Sequence, residues 1–257
     1  CMGSGPYGKF NLGLTNPGQT CAGLPRERWP EAIEQHFTKI LQAMSNPKDL
    51  PKQWQDAAER LCVRLWDKAT VPDLSENICR EDIPGLVSVL MLDEEQSIRS
   101  VGIEWLGKWG VDADTAFGRA VKNLPRHAPF ERMSLGEEAP AELVCLSGES
   151  PCVASWLLDA EEVLPRDQGL GVLVSVPTRD TIVACPLTKE NLNGAVGAMI
   201  VLTHSMHENE PGGVSPRLYW RRGGGPLIEQ GYELGEEGIG FRPTAELMGV
   251  LDEARGE

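Results

Sequence analysis

Long hydrophobic runs and positive charge are both scarce in this sequence. Its longest apolar run, residues 195–202, is far shorter than the roughly 18–20 apolar residues that cross a bilayer. Lysine and arginine number 24 against 38 aspartates and glutamates, so the net charge is −14. A surface of this sign repels nucleic acid and anionic membranes and attracts basic partners. We therefore expect no nucleic-acid partner and no membrane partner.

Motif cysteines are also lacking. The seven cysteines form no CxxC or zinc-finger spacing. Cys62, Cys145 and Cys185 lie inside strand-like apolar runs, where cysteine behaves as a small buried residue with a reduced thiol. The first residues, CMGSGPYG, lack the regions of a signal peptide, and a start at Cys1 leaves a fragment or a processed form open. We predict a cytoplasmic protein without a cofactor.

Local motifs for catalysis are missing too. There is no GxSxG nucleophile elbow, no P-loop and no pair of carboxylates that stands out from the general acidity. Cys152 follows a turn and is the least obviously buried cysteine of the second half, but we interpret it as structural. A cysteine–histidine pair assembled by the fold stays open. These absences favour a binding protein and leave an enzyme as the alternative.

Apolar residues recur at helical spacing in several segments. In the first half the pattern predicts helices over residues 28–44, 46–61 and 97–124. Within the last of these, Gly110 is placed to end one helix and Asp112 to cap the next. In the second half the pattern predicts helices over residues 189–207 and 244–254.

Strand-like runs lie between the predicted helices. They are residues 61–66, 85–92, 142–147, 152–158, 170–177, 181–187, 217–222 and 227–233. We interpret the acidic stretch GYELGEEGIG (231–240) as a solvated loop. Helices separated by short strands predict an α+β fold with mainly antiparallel sheets flanked by helices.

A polar, proline-bearing stretch divides this pattern into two predicted lobes. The predicted parts are an extended arm over 1–25, an N-terminal α/β lobe over 26–124, a linker over 125–140 and a C-terminal α+β lobe over 141–257. The tetrapeptide LVSV occurs at 86–89 and again at 173–176, each time before a predicted helix. A duplication would explain this echo, and a chance match of common strand-forming residues is the alternative.

Several segments resemble one group of proteins. The strand–turn–strand LGVLVSVPTRDTIVACPL (170–187) and the helix WGVDADTAFGRAVKNL (109–124) resemble YtpQ-like bacterial proteins of unknown function. TCAGLPRERWPEAIEQHF (20–37) and SPRLYWRRGG (215–224) resemble an actinobacterial branch of such proteins. The resemblance extends over residues 10–250 through short motifs. It implies an uncharacterised α+β protein and carries over no catalytic residue.

The stretch SPRLYWRRGGGP (215–226) has two interpretations. As a strand it places Leu218 and Trp220 on one face and Tyr219 and Arg221 on the other, before a glycine turn. In that case its arginines pair with nearby acids. Alternatively, the stretch forms a positive patch that holds a phosphate or carboxylate, with candidate ligands Arg217, Trp220, Arg221 and Arg222. Arginines fully paired with acidic neighbours would argue against this second interpretation.

The turn PTRDT (177–181) is a second candidate. Asp180 is suited to accept local backbone hydrogen bonds, and Arg179 projects from the tip of a predicted hairpin. A structural turn with a solvated arginine is the simpler interpretation. If the two hairpin tips lie close together, Arg179 and Arg221 would share one anion.

Two histidines are the weak candidates for a metal site. His204 and His207 are three residues apart near a helix end and therefore share a helix face. A third ligand has no motif that links it to this pair. We therefore predict no metal.

The leading functional hypothesis from the sequence is an acidic interaction module that binds another protein, for which the charge favours a basic one. The alternative is a small-anion binder or enzyme that uses Arg179, Arg217, Arg221 and Arg222. This alternative requires a concave pocket between the hairpins.

Overall fold

The fold is α+β, with antiparallel sheets and flanking helices. The computed structural model describes residues 2–5, 8–11, 21, 23–45, 50–71, 73–94, 97–135, 142–235 and 238–255. Its helices are α1 (Trp29–Ser45), α2 (Trp54–Ala58), α3 (Glu104–Trp109), α4 (Ala113–Lys122), α5 (Leu124–His127), α6 (Ala160–Val163), α7 (Leu192–Asn209) and α8 (Ala245–Arg255), with 3-10 helices at Arg26–Arg28 and Val153–Asp159. Within these ranges, no helix is both long enough and apolar enough to cross a membrane.

The strands form a hairpin and two larger sheets. The hairpin joins β1 (Met2–Gly5) to β2 (Gly8–Asn11). The small sheet contains β3 (Leu61–Asp67), β4 (Cys79–Ile83), β5 (Leu86–Glu94) and β6 (Ser97–Ser100), with β5 in contact with the other three. The large sheet contains β7 (Glu131–Leu135), β8 (Leu143–Ser147), β9 (Val172–Thr178), β10 (Thr181–Pro186), β11 (Leu218–Arg221), β12 (Ile228–Gly235) and β13 (Gly238–Arg242), in the order β13-β12-β11-β9-β10-β8-β7.

Strand β9 is buried on both faces because a hydrophobic core lies on each side of the large sheet. Because side chains alternate along a strand, Val174 and Leu173 face opposite sides of the large sheet. Val174 packs in a core shared with the small sheet and the 3-10 helix Val153–Asp159. Leu173 packs against α7 and α8. On the far side of the small sheet, Phe117 of α4 packs against Leu90. The layers are therefore α7–α8, large sheet, small sheet and α3–α4.

The two predicted lobes each contain one sheet, but a single core joins them. Leu86 of the small sheet and Val174 of the large sheet belong to the same buried cluster. Part of the predicted linker is regular structure, because Leu124–His127 is helical and Glu131–Leu135 pairs with β8. Residues 136–141 lie outside the described residues.

Three predicted elements are wrong. Residues 153–159 form a 3-10 helix instead of a strand; a short run buried on all sides has no period that separates the two. Residues 97–100 form strand β6, not a helix. The predicted acidic loop is a hairpin, in which Tyr232 pairs with Phe241 and Leu234 with Ile239.

Other local predictions are confirmed. Gly110 ends α3 with a φ of 70°, which glycine adopts without strain. The Asp112 side chain caps α4 by accepting a hydrogen bond from Thr115 N at 2.7 Å. The two LVSV segments lie in β5 and β9, each flanked on both sides by other strands, although the next element is a strand in both cases and not a helix. A duplication stays a prediction.

Candidate functional site

The turn PTRDT lies between β9 and β10, as predicted, and neighbouring loops anchor it. The Asp180 carboxylate accepts hydrogen bonds from Thr178 Oγ1 at 2.7 Å and Thr181 Oγ1 at 3.3 Å. Arg179 N donates to Gly212 O, and Arg179 O accepts from Ala154 N, both at 3.0 Å. Asp180 therefore stabilises the turn, while the Arg179 side chain is left available.

Arg179 approaches an arginine that the sequence did not single out. Arg64 lies on β3 between Cys62 and Trp66, and all three side chains share the inward face of that strand because they are two residues apart. The Arg64 guanidinium stacks on Trp66, with Cζ 4.1 Å from the ring centroid. Burial, together with the positive charge of Arg179, lowers the pKa of Arg64 to about 10. The missed signal was an arginine on the inward face of an apolar strand.

Two buried thiols lie beside this arginine. Cys62 and Cys152 are 0% and 1% exposed; because Cys145 is 4% exposed, the expectation that Cys152 is the least buried cysteine of the second half is wrong. The hydrogen bond between the thiols, together with burial, raises the pKa of Cys62. The hydrogen bond that Cys62 donates lowers the pKa of Cys152 against the effect of burial, and the charge of Arg64 adds to this. The negative charge of Asp93 raises the pKa of both thiols. The Asp93 carboxylate itself lies 2.7 Å from His127 Nδ1.

Arg217 is fully engaged by acids. Its Nε donates to Asp67 Oδ2 at 3.3 Å and its Nη1 to Glu229 Oε1 at 2.6 Å. Burial favours the neutral form of Asp67, but hydrogen bonds from Ala69 N, Ser215 Oγ and Arg217 outweigh it and lower the pKa of Asp67. Asp67 belongs to β3 and Arg217 immediately precedes β11, so this ion pair joins the two sheets.

A cavity of about 440 Å³ opens beside Arg217. Across it, the Tyr232 hydroxyl lies 2.7 Å from His204 Nε2. Burial raises the pKa of Tyr232 to about 12, so this hydroxyl stays protonated at neutral pH. The cavity has His204 and Tyr232 on its wall, but its arginine is already paired with acids.

The remaining residues of SPRLYWRRGGGP follow the simpler interpretation. Trp220 is buried on the helix side of the large sheet, where its Nε1 donates to Leu170 O at 2.8 Å. Arg221 donates to Glu161 Oε1 at 3.2 Å and to Gly225 O at 2.7 Å. Arg222 Nη1 lies 3.9 Å from a Glu253 carboxylate oxygen. These contacts argue against Arg217, Arg221 and Arg222 as ligands of one anion.

The hypothesis of one anion shared by two hairpin tips is wrong. Arg221 pairs with Val172 at the beginning of β9, whereas Arg179 follows the end of the same strand. At about 3.3 Å per residue, the seven residues of β9 separate the two positions by roughly 20 Å. Arg221 is moreover held by Glu161 and Gly225 O, so one phosphate or carboxylate does not join the two tips.

The two candidate metal ligands have other partners. His204 contacts Tyr232, and His207 Nδ1 lies 3.2 Å from Pro177 O. In the part of the chain that the structure describes, no three or more His, Cys, Asp or Glu side chains are grouped to hold a metal ion.

A groove lined mainly by apolar side chains, which the sequence did not indicate, lies at one edge of the large sheet. We name it the β13 groove; its volume is about 380 Å³, and its lining residues are Leu192, Asn193, Val196, Gly197, Ile239, Phe241, Pro243, Met248 and Leu251. It lies between α7, α8 and β13, and no charged side chain lines it. Ile239 and Met248 are each 38% exposed, although both are large apolar residues.

The apolar surface continues beyond the groove on both sides. Leu234, 51% exposed, pairs with Ile239 across the hairpin, so both side chains lie on one face. Val201, 59% exposed, lies one helical turn after Gly197 on the same face of α7. A side chain added at Gly197 would meet nothing within 4 Å. Contiguous exposed apolar surface of this kind marks interaction sites.

The outer edge of β13 is free in the described chain. β13 is the terminal strand of the large sheet and pairs with β12 alone among the strands in the described ranges. Such an edge presents unpaired backbone N–H and C=O groups that a further strand can join. The groove and the free edge therefore occupy the same border of the molecule.

Comparisons with known proteins give no further guide. No protein family, no curated protein and no solved structure matches the chain. The resemblance to YtpQ-like proteins therefore stays a prediction, and function rests on the geometry above.

Proposed function

We propose that this protein is a protein-binding module and that the β13 groove binds an extended segment of its partner. The observation that carries the proposal is the coincidence of exposed apolar side chains with a free strand edge. Extended segments bind in this way by adding a strand to a sheet edge, while alternate side chains enter neighbouring pockets. Alternate apolar residues of the partner would then pack on Ile239 and Met248.

The charge of the molecule favours a basic partner segment. The protein carries a net charge of −14, and Glu246 in the first turn of α8 is exposed beside the groove. Arg242, the basic residue of β13, already pairs with Glu233 at 2.6 Å. A segment whose outward residues are lysine or arginine would be steered toward this border.

A cytoplasmic location and membership of the YtpQ-like proteins belong to the same proposal. The described cysteines are all free, which supports a reducing compartment. The α+β architecture supports the family resemblance in fold class alone.

The test measures fluorescence anisotropy of labelled peptides in which valine alternates with lysine. We expect saturable binding by wild type and weaker binding of the same peptide with glutamate in place of lysine. Gly197→Gln places a side chain in the groove without backbone strain and should weaken binding about tenfold or more. Gly118→Gln is the matched control, because Gly118 lies in α4 and is equally open.

Two results would contradict the proposal. The first is equal peptide binding by wild type and Gly197→Gln, since an acidic surface alone attracts basic peptides. The second is a dimer of wild type in analytical ultracentrifugation that Gly197→Gln dissociates. In that case the groove binds a second copy of the chain and not a basic partner.

A further inference from the structure

Arg64 has a buried donor without an acceptor. Its Nε is inaccessible to solvent and has no hydrogen-bond partner in the described chain. A buried polar group left in this state is costly, and more so when it carries charge. The stacking on Trp66 holds the guanidinium in place but provides no acceptor for Nε.

Ser155 Oγ donates to Val63 O, next to Arg64, at 2.7 Å, and the preceding Ala154 N donates to the carbonyl of Arg179 at 3.0 Å. In the described chain, backbone contacts and not a counter-ion therefore hold Arg179. Its amide and carbonyl are both bonded to neighbouring loops. Its Cδ lies 2.7 Å from the position that a Cβ on Gly212 would occupy, so the side chain crosses closely over that glycine. Gly212 has a φ of 75°, which adds a second reason for glycine there.

Neither guanidinium has an acidic partner within the described residues. This contrasts with the arginines that a carboxylate pairs with in the described residues, which are Arg28, Arg80, Arg99, Arg119, Arg126, Arg217, Arg221, Arg222 and Arg242. Acids outnumber bases by 38 to 24, and Arg60 and Arg132, which pair with no carboxylate in the described residues, donate instead to backbone carbonyls. Asp180 and Asp93 lie in the same region, but they bond to threonine hydroxyls and to His127.

We propose that Arg64 and Arg179 together bind a phosphate group, either of inorganic phosphate or of a phosphate monoester. Such a group carries about −1.5 to −2 charges at neutral pH and would offset two guanidinium charges, which a single carboxylate would not. Arg64 is only partly buried, so the phosphate oxygens would accept from its terminal guanidinium nitrogens and from the Arg179 guanidinium. The Cys62 and Cys152 thiols form the neighbouring wall. This site is independent of the β13 groove.

Isothermal titration calorimetry tests the site at constant ionic strength. The probes are inorganic phosphate, phenyl phosphate and, as the control ligand, acetate. We expect saturable binding of a phosphate probe by wild type and much weaker binding of acetate. Tighter binding of phenyl phosphate would assign the site to phosphorylated molecules, and tighter binding of inorganic phosphate would assign it to the free ion.

Variants separate the site from general attraction of anions. Arg179→Gln, whose side chain is partly exposed, should fold and bind roughly tenfold more weakly or worse. Arg64→Lys keeps the charge but loses the planar fork and should also bind more weakly. Arg222→Gln, which removes an exposed arginine, should bind as wild type does. The absence of saturable binding at millimolar phosphate, or equal binding by wild type and Arg179→Gln, would overturn the proposal.

Discussion

Two arginines that enter the space between the sheets have opposite surroundings. Arg217, from the large sheet, contacts Asp67 and Glu229. Arg64, from the small sheet, contacts Trp66 and has a second arginine and two thiols nearby. The first is neutralised by the fold itself and therefore joins the sheets. The second is not neutralised, and so it retains the capacity to bind an anion.

The largest expected effect is the loss of stability when Arg217 is replaced. Arg217→Met leaves Asp67, 5% exposed, without its positive partner, and should lower the free energy of unfolding by about 2–3 kcal/mol. Urea unfolding measures this loss. The control is Arg242→Met, because that ion pair is exposed and should change stability by less than about 1 kcal/mol. Equal losses in the two variants would mean that the Arg217–Asp67 pair stabilises the fold no more than an exposed ion pair does.

The acid dependence of unfolding should follow Asp67. Because the folded protein holds the pKa of Asp67 below its ordinary 3.8, the carboxylate stabilises the fold fully above that value. Its contribution is lost as pH falls through the lower folded pKa. Asp67→Asn should therefore destabilise the protein at neutral pH, and the difference from wild type should shrink below about pH 4. A difference that stays constant in urea unfolding down to pH 2 would contradict this assignment.

A smaller effect is expected at the second contact between the sheets. The buried Tyr219 hydroxyl donates to Pro84 O at 2.9 Å, next to the Arg217 network. Tyr219→Phe removes one neutral hydrogen bond and should cost about 1 kcal/mol in urea unfolding. A loss as large as that of Arg217→Met would mean that the hydroxyl, and not the ion pair, is the main junction.

The smallest expected change in stability is at Arg179, which no carboxylate pairs with in the described chain. In a buffer without phosphate, Arg179→Gln should change the free energy of unfolding by no more than about 0.5 kcal/mol, because the hydrogen bonds of Arg179 in the described chain come from its backbone, which the variant keeps. Relief of repulsion from Arg64 would act toward greater stability. Thermal unfolding with and without phosphate measures both states. A large loss without phosphate would mean that Arg179 supports the fold and not a ligand.

Features of local structure that depend on one or two residues were predictable from the sequence. The end of α3 at Gly110, the Asp112 cap and the turn at Arg179 and Asp180 each follow from the conformational preference of one or two residues. The alternation of Trp220 and Tyr219 between two cores follows from the period of a strand. The segment 153–159 was not predictable in this way, since burial on all sides erases its period.

The sequence by itself determined the α+β class, the acidic surface and the faces on which β3 and β11 place their side chains. Only the tertiary structure decided which arginines are neutralised. Asp67 and Arg217 are 150 residues apart, and Arg64 and Arg179 are 115 residues apart, yet the fold brings each pair together from different sheets. The β13 groove likewise needs α7, α8 and β13 in place. Contacts between distant segments depend on packing, which local propensity and periodicity do not encode.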